Sequence, residues 1–255
     1  MNILVPLKQV PDLVEELEFT PDGARLDTTF MSMIINEADD HALEQALLLK
    51  EKHGARVTVV ALAVGEAEEM LYTALAKGAD EALLMAGDFE DGVDSHTIAA
   101  LLTAICTDRD DDLILTGCQA VDDLDGQVGV LLSAHLDRPY VGLVTHVEPV
   151  EGGLRVHKEL PGGLYGTLQV ALPAVLGILA ADNPPRYVLV SKVMDAMKTA
   201  PIEELDAPAG EGSTGFEIVH MDKPEAGNAA EMIEGPPEAV AERLADLFVE
   251  RGILN

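Results

Sequence analysis

The segment from residue 117 to residue 129 contains the residue types of an anion site. It runs Gly-Cys-Gln-Ala-Val-Asp-Asp-Leu-Asp-Gly-Gln-Val-Gly and joins an apolar stretch to a helical pattern. Gly126 and Gly129 allow the backbone to approach a ligand closely, and free amides of residues 126–129 open the helix. These amides and the helix dipole suit a nucleotide phosphate, although the same spacing also fits a plain capped turn.

Three carboxylates in this segment restrict that interpretation. Asp122, Asp123 and Asp125 would repel a phosphate, so we expect them to point towards helix-capping amides, a ribose hydroxyl or water. The segment is not a calcium loop of the EF-hand type. Val121 and Leu132 would occupy the first and twelfth ligand positions of such a loop, and neither side chain binds a cation.

Other reactive groups match catalytic patterns poorly, and we assign no catalytic or metal-binding residue. The sequence has no G-x-G-x-x-G after a strand, no Walker loop, no G-x-S-x-G and no H-E-x-x-H. Cys106 lies on an apolar helix face, which is typical of a core residue. Cys118 ends a predicted strand, but no neighbouring histidine or lysine is placed to activate its thiol as a nucleophile.

The elements that would position the segment are apolar strands alternating with amphipathic helices over residues 1–137. This alternation predicts an α/β fold with a doubly wound, mostly parallel sheet of the Rossmann-like or flavodoxin-like kind. Right-handed crossovers bring the carboxyl ends of the strands to one edge, where ligands bind. The predicted strands are 3–7, 57–64, 81–85 and 113–117; the predicted helices are 41–52, 66–77, 95–105 (capped by Ser95) and 127–135.

The pattern changes after Pro139, where glycine pairs separate three strand-like stretches. Such turns predict antiparallel hairpins added to the sheet, followed by one more apolar strand. Residues 200–237 are rich in proline, glycine and glutamate and predict an extended C-terminal arm, followed by an amphipathic helix. The predicted strands are 141–150, 154–160, 165–172 and 174–180, and the predicted helix is 239–249.

Charge excludes several kinds of partner. The 255 residues include 46 acidic and 16 basic ones, which give a formal net charge of −30. Such a chain repels nucleic acid and anionic membranes, and it suits a partner with a basic face; a high-salt cell also explains the acidity. Two cysteines do not make a disulfide framework, and the N-terminus has no secretory pattern, so we expect a cytoplasmic protein.

Seven segments, in order, resemble the β subunit of electron transfer flavoproteins. Each is short, but together they extend over about residues 1–200. A later segment, residues 230–235, is similar to the subgroup whose electron donor is trimethylamine dehydrogenase. The seven segments are Ile3–Asp12, Asn36 with Ala42–Ala46, Ala74–Asp80, Gly117–Asp123, Glu159–Leu164, Leu172–Val175 and Asn183–Tyr187.

The resemblance implies a subunit that is not itself an enzyme. Its partner, the α subunit, would hold most of the redox FAD, and this chain would bury an AMP with a structural role. Matched segment by segment, the cofactor-binding residues would be Pro6, Asn36, Glu37, Ala38, Asp39, Val64, Gly117, Cys118, Gln119, Ala120, Val121, Asp122, Asp123, Leu124, Asp125, Gly126, Gln127, Val128 and Gly129.

The resemblance also implies a docking segment for flavoprotein dehydrogenases. That segment corresponds to residues 186–201, and its anchoring leucine falls at Val190, with Leu189 adjacent. We expect Leu189 and Val190 to be exposed and Val193 and Met197 to face the core. The family glutamate that tunes electron transfer between flavins matches Glu159. Aromatic residues that some members place near the flavin fall at Leu13 and Ala38.

Two alternatives stay open. Some relatives bind a second FAD in place of AMP and bifurcate electrons from NADH, and they tend to carry Asp-Gly-Asp-Thr in the acidic loop. Residues 122–125 read Asp-Asp-Leu-Asp, with no small residue at position 123, which favours AMP. The other alternative is a stand-alone nucleotide-binding protein of the same architecture, such as a universal-stress-like ATP binder.

The expected organisation has three parts. Residues 1–185 form the nucleotide-binding domain and residues 186–201 the docking segment. Residues 202–255 form the arm and terminal helix, which we expect to pack on the α subunit to form a heterodimer. The arm argues against a stand-alone domain, because a self-contained fold does not need a long, weakly apolar extension.

Overall fold

The fold is described from a computed structural model of the chain. The structure describes residues 1–14, 16–87, 89, 93–208, 219–223, 230 and 232–254. Parts of the predicted arm and of the segment 230–235 lie outside these residues. The chain divides into two compact units, residues 1–220 and residues 221–255.

The first unit is built on a nine-stranded sheet with the order β11-β5-β4-β1-β6-β10-β7-β8-β9, and a two-stranded sheet pairs β2 with β3. Helices alternate with the parallel strands, as predicted. The strands are β1 (Asn2–Pro6), β2 (Gln9–Pro11), β3 (Met33–Ile35), β4 (Arg56–Leu62), β5 (Glu81–Ala86), β6 (Leu113–Gly117), β7 (Tyr140–Val150), β8 (Gly153–Leu160), β9 (Leu164–Val170), β10 (Ala174–Ile178) and β11 (Glu203–Asp206). The helices are α1 (Glu37–His53), α2 (Ala67–Lys77), α3 (Ser95–Thr107), α4 (Val128–His135), α5 (Val190–Thr199) and α6 (Pro237–Glu250).

The central strands are buried on both faces, which explains their continuous apolar sequences. In β1, Ile3 and Val5 belong to a core packed with α1 and α2, whereas Leu4 belongs to a second core packed with α3 and α4. This alternation places helices on both faces of the sheet, so the predicted doubly wound α/β fold is confirmed.

The predicted hairpins form the other end of the sheet. Strands β7, β8 and β9 pair antiparallel, and β7 also pairs in parallel with β10, which lies between β6 and β7. A β-bulge shifts the β7–β8 register between Val144 and His146. The predicted mostly parallel sheet with added antiparallel strands is therefore present.

Several local expectations differ from the structure. Helix α1 begins at Glu37 rather than at residue 41, because acidic residues of its first turn, including Asp39 and Asp40, complement the helix dipole. Asp94, not Ser95, caps α3: its carboxylate accepts hydrogen bonds from the amides of His96 and Thr97.

The structure has two short strand regions at positions where the sequence analysis predicts no strand. Strands β2 and β3 pair antiparallel across the stretch of residues 12–32. Strand β11, four residues long, joins the edge of the main sheet in parallel with β5. Short strands with charged residues such as those of β11 carry a weak sequence pattern, and their pairing comes from the neighbouring strand.

The second unit contains α6. All of its residues are exposed or half-buried, and its apolar residues Val240, Leu244, Leu247 and Phe248 share one face. Among the described helices of the whole chain, none is long and apolar enough to cross a bilayer; the longest, α1, has 17 residues.

Candidate functional site

The candidate site lies where the strand order reverses. Strand β1 has β4 on one side and β6 on the other, and the crossovers leave β1 and β6 in opposite directions. Their carboxyl ends, Pro6 and Gly117, face the same edge. In open α/β sheets a crevice forms at this point, and ligands bind there.

Asn36 ties the start of α1 to the loop after β6. Its side chain is buried, with only 1% of the residue exposed. Its Nδ2 donates to the Gln119 carbonyl at 3.0 Å, and its Oδ1 accepts from the Val121 amide at 3.3 Å. Both polar groups of the amide side chain are satisfied, so Asn36 fixes the path of residues 119–121.

Asp39 joins three segments of the site. Its Oδ2 accepts from the Lys8 amide and its Oδ1 from the Gly117 amide, each at 3.0 Å. Burial raises the pKa of the carboxyl from 3.8 to about 7, although hydrogen bonds from Lys8, Asn36 and Gly117 oppose the increase. The group therefore titrates near neutral pH, beside a crevice suited to an anion.

Gly117 allows β6 and the first turn of α1 to approach each other closely at the crevice. A Cβ at this position would lie 2.9 Å from the Ala38 carbonyl carbon and closer still to Asp39 Oδ1. Only hydrogen fits between β6 and the first turn of α1. Gly126 adopts a φ of 66°, which favours glycine, and returns the chain towards α4.

Two of the three acidic side chains of the loop bind Lys8. The Lys8 ammonium lies 2.8 Å from Asp122 Oδ1 and 2.8 Å from Asp123 Oδ2, and the Asp123 carboxylate also accepts from the Asp125 amide at 2.9 Å. Burial alone would lower the pKa of Lys8, but attraction to the two carboxylates outweighs it and raises the pKa. Asp125 accepts instead from Gln127 Nε2. Lys8 thus neutralises part of the charge that would repel a phosphate.

The N-terminus of α4 has hydrogen-bond donors available. Gln127 precedes the helix and provides no side-chain cap. Within the described residues, the amides of Val128, Gly129 and Val130 donate to no protein acceptor. A Cβ at Gly129 would lie 2.8 Å from Thr116 Oγ1, so α4 packs closely against the end of β6. These donors fit the phosphate of a bound nucleotide.

The loop after β4 lies on the other side of β1. Gln9 holds it through two hydrogen bonds to Glu66: Gln9 Oε1 accepts from the Glu66 amide at 2.9 Å, and Gln9 Nε2 donates to its carbonyl at 3.4 Å. Val64 is 39% exposed there, and Gly65 adopts a φ of 56°. Val64 therefore lies at the same edge of the sheet as Pro6.

A pH dependence follows from the burial of Asp39. Its pKa is higher in the folded state than in the unfolded chain, so the folded state binds the proton more tightly between about pH 4 and pH 7. The free energy of unfolding should fall as pH rises across this window, by on the order of 4 kcal/mol from this group at most. Asp39→Asn should remove that part of the slope.

The measurement is denaturant unfolding of both proteins near pH 5 and near pH 8. Asparagine loses one acceptor at every pH, so the slopes rather than the absolute stabilities are compared. Identical pH slopes in the two proteins would show that Asp39 keeps an ordinary pKa in the folded state.

Comparison with known proteins places the chain in a family. Residues 29–210 match the model of the electron transfer flavoprotein domain. The chain belongs to the electron transfer flavoprotein family. The matched residues include most of the sheet, the start of α1 and the whole loop of residues 117–129.

Several curated relatives of this electron transfer flavoprotein chain are β subunits. That of Methylophilus methylotrophus is 31% identical over 262 residues, covering 98% of each chain. That of Clostridium acetobutylicum is 38% identical over 200 residues, covering 77% of this chain and 75% of the relative. The caffeyl-CoA reductase–Etf complex subunit CarD of Acetobacterium woodii is 36% identical over 198 residues, with 77% and 75% coverage. The chain therefore matches the β subunits of the electron transfer flavoprotein family.

The thiols of this electron transfer flavoprotein subunit are poorly suited to nucleophilic chemistry. Burial raises the pKa of Cys106 to about 12. Burial also raises the pKa of Cys118, and the nearby Asp39 adds to that increase. Among the described residues, no group of three or more acidic, histidine or cysteine side chains is placed to hold a metal ion.

The expected docking segment comprises α5 and the residues before it. Leu189 is 58% exposed and Val190 69% exposed, whereas Val193 is half-buried. Met197, which the sequence predicts to face the core, is 42% exposed. It lines a cavity of about 380 Å³ between α5 and the start of α2, because α5 packs on α2 rather than on the sheet.

Glu159 lies at the far end of the sheet and is exposed. It pairs in register with Tyr165 across the β8–β9 hairpin. The structure therefore brings residues 36–39 and 117–129 together at one crevice, with Pro6 and Val64 at the same edge. Glu159, by contrast, lies on β8, three strands from β6 in the sheet order. The contacts of Lys8, Gln9 and Asp94 are not evident from the sequence, although Lys8 stands directly after a predicted strand at the ligand edge.

Proposed function

We propose that this chain is the β subunit of a heterodimeric electron transfer flavoprotein, which carries electrons from flavoprotein dehydrogenases. An α subunit holds most of the redox FAD, and this subunit holds a structural AMP. The observation that carries the proposal is the crevice at the strand reversal, in a chain whose family is that of electron transfer flavoproteins.

The contacts of the crevice support AMP as its ligand. The free amides at the start of α4 suit the phosphate, and the missing Cβ of Gly117 leaves room between β6 and α1. Lys8 offsets the carboxylates of Asp122 and Asp123. We assign the phosphate to residues 126–129, and we assign the edges of the nucleotide to residues 36–39 and to Val64.

This chain's own residues contribute binding and orientation. Asn36 and Asp39 fix the loop that holds the nucleotide, and Leu189 and Val190, where α5 begins, hold the dehydrogenase. FAD, when bound to the heterodimer, supplies the one- and two-electron redox chemistry of a flavin. The carboxylate of Glu159 is exposed at the end of the sheet. Its proposed role is to tune electron transfer through its charge near that flavin.

An electron-bifurcating subunit with a second FAD is the other candidate. The printed name of the relative in Acetobacterium woodii places it in a complex of caffeyl-CoA reductase with an electron transfer flavoprotein. In this chain, however, position 123 is an aspartate bound to Lys8 and to the Asp125 amide, where bifurcating relatives tend to have glycine. We therefore favour AMP. Reduction of the heterodimer by NADH would instead support bifurcation.

Reconstitution tests the proposal. The chain is mixed with its α subunit and FAD, and a flavoprotein dehydrogenase with its substrate is added without oxygen. We expect a stable one-to-one heterodimer whose FAD is reduced by the dehydrogenase. A chain that stays a monomer beside the α subunit and hydrolyses ATP would identify it as a stand-alone nucleotide-binding protein.

The arm provides a separate prediction about the heterodimer. We propose that α6 covers a surface of the α subunit with Val240, Leu244, Leu247 and Phe248, whose side chains are only partly buried. Burying the remaining apolar area would contribute on the order of 3–5 kcal/mol before ordering costs. Deleting residues 236–255 should therefore raise the Kd of the heterodimer by more than about tenfold.

Analytical ultracentrifugation or titration of the α subunit gives that Kd. The matched control changes the polar face of the same helix, Glu242→Ala with Asp246→Ala, and should leave the Kd near the wild-type value. Equal Kd values for the deletion variant and the full chain would refute a role of α6 in the heterodimer.

A further inference from the structure

Side chains of α1 hold the segment that leads to the docking residues. This segment leaves β10 and runs from residue 181 to residue 186 along the helix. Three of its backbone amides donate to α1 side chains rather than to a strand. The donor amides and acceptors are Ala181 to His41 Nδ1 at 3.2 Å, Asp182 to Gln45 Oε1 at 3.0 Å and Arg186 to Glu44 Oε2 at 3.0 Å.

The last of these contacts is the strongest, because the Arg186 side chain joins it. Arg186 Nε donates to Glu44 Oε2 and Nη2 donates to Glu44 Oε1, each at 2.8 Å, so the guanidinium and the carboxylate pair through two parallel bonds. Nη1 donates to Glu51 Oε1 at 2.6 Å. Glu44 Oε2 thus accepts from both the backbone and the side chain of Arg186.

Burial makes this pair different from a surface ion pair. The Glu44 side chain is only 4% exposed, whereas the Glu51 side chain is 56% exposed. Burial alone would raise the pKa of Glu44, but the hydrogen bonds from Arg186 outweigh it and hold the pKa below its usual value. A buried carboxylate that is fully bonded to one arginine fixes that arginine in a single geometry.

The pair stands directly before the exposed apolar residues. Tyr187, Leu189 and Val190 follow within four residues and are 83%, 58% and 69% exposed. Beyond them, α5 packs on α2. The short exposed stretch is therefore fixed at one end by Glu44–Arg186 and at the other by α5, with little freedom to change direction between the two.

We propose that Glu44 and Arg186 are positioning residues that set how Leu189 and Val190 are presented to the dehydrogenase. This inference rests on the proposed function, in which those two residues dock the electron donor. In this role the pair acts through the residues that follow it rather than by contact with the donor or the nucleotide. It acts by holding the exposed stretch in the orientation that the donor's pocket requires, because a displacement of about 1 Å is enough to weaken such a fit.

The test compares variants of the reconstituted heterodimer in electron transfer from the dehydrogenase. Glu44→Gln leaves one acceptor and breaks the paired geometry, and Arg186→Lys keeps the charge but loses the planar fork. Both should raise the KM for the heterodimer about tenfold, with kcat and FAD content near wild type. Glu51→Gln, which removes only the charge of the exposed partner of Arg186, is the matched control and should change the KM less than about twofold.

A purely structural role would give a different pattern. It would lower the Tm of the variants and leave the KM unchanged, and that result would overturn the inference. If the single variants do not fold, Glu44→Met with Arg186→Met replaces the pair by apolar side chains that suit a buried site. A folded double variant with a raised KM supports the positioning role, and one with a wild-type KM overturns it.

The docking variant Leu189→Ala with Val190→Ala distinguishes a failure of the positioning role from a failure of the docking assignment. If it raises the KM while Glu44→Gln, Arg186→Lys and the methionine pair do not, docking holds and only the positioning role is wrong. If it leaves the KM unchanged, the docking assignment itself fails.

Discussion

Replacing Leu189 and Val190 together by alanine is expected to raise the KM for electron transfer from the dehydrogenase by about 30-fold or more. Both side chains stand where α5 begins and are more than half exposed, although exposure of aliphatic side chains to water is unfavourable. Aliphatic anchors that fill a desolvated pocket of a partner are worth roughly 2–4 kcal/mol to binding. The kcat, the reduction of FAD by dithionite and the stability of the heterodimer should stay near wild type.

The measurement is steady-state kinetics with the dehydrogenase held constant and the heterodimer varied. Leu168→Ala is the matched control, because Leu168 is an aliphatic residue, 41% exposed, on the edge strand β9. A double variant that loses its nucleotide or separates from the α subunit would show that the two residues belong to the core or to the heterodimer interface.

Gly117→Ala is expected to release most of the nucleotide. The new methyl group would lie 2.9 Å from the Ala38 carbonyl carbon and would displace the Asp39 carboxylate. The first turn of α1 would have to move, and the bond from the Gly117 amide to Asp39 would be lost. Overpacking of this kind costs roughly 1–3 kcal/mol, so we expect nucleotide affinity to fall by about 10- to 100-fold.

Nucleotide retained after gel filtration of the heterodimer measures this effect. Gly166→Ala is the matched control, because a Cβ at this sheet glycine would meet only Leu160 Cδ1, at an ordinary 3.8 Å. A Gly117→Ala protein that keeps a full complement of nucleotide would mean that the ligand does not depend on the space between β6 and α1.

The central part of the sheet was predictable because its parallel strands are apolar on both faces. Continuous apolar stretches such as Ile3–Val5 and Leu113–Leu115 predict buried parallel strands in an α/β protein. Both stretches lie in strands at the predicted positions. Strands β2, β3 and β11 have three or four residues each. Their formation depends on a neighbouring strand distant in sequence, which no local pattern contains.

The crevice was predictable in position but not in its contacts. Glycines 117, 126 and 129 mark a loop at the ligand edge from sequence alone. The contacts that shape the loop join residues far apart in sequence: Lys8 with Asp122 and Asp123, and Asp39 with Gly117. The sequence predicts that the aspartates of the loop point towards amides, a ribose hydroxyl or water, whereas Asp122 and Asp123 bind a lysine more than 110 positions away.

The docking segment shows the same limit. The sequence predicts a docking segment over residues 186–201, but it does not reveal which element α5 covers. Met197 is half exposed beside a cavity because α5 packs on α2. The buried Glu44 that fixes Arg186 lies on α1, where its neighbours Leu43 and Ala46 are core residues and the charge alone would indicate a surface position.

The nucleotide content of the purified heterodimer tests the central claim most directly. Acid releases the bound nucleotides, and chromatography against standards identifies and counts them. The crevice formed by residues 36–39 and 117–129, with Asp123 bound to Lys8, predicts one AMP and one FAD per heterodimer. Two FAD per heterodimer, or one FAD without AMP, would contradict the assignment of AMP to this subunit.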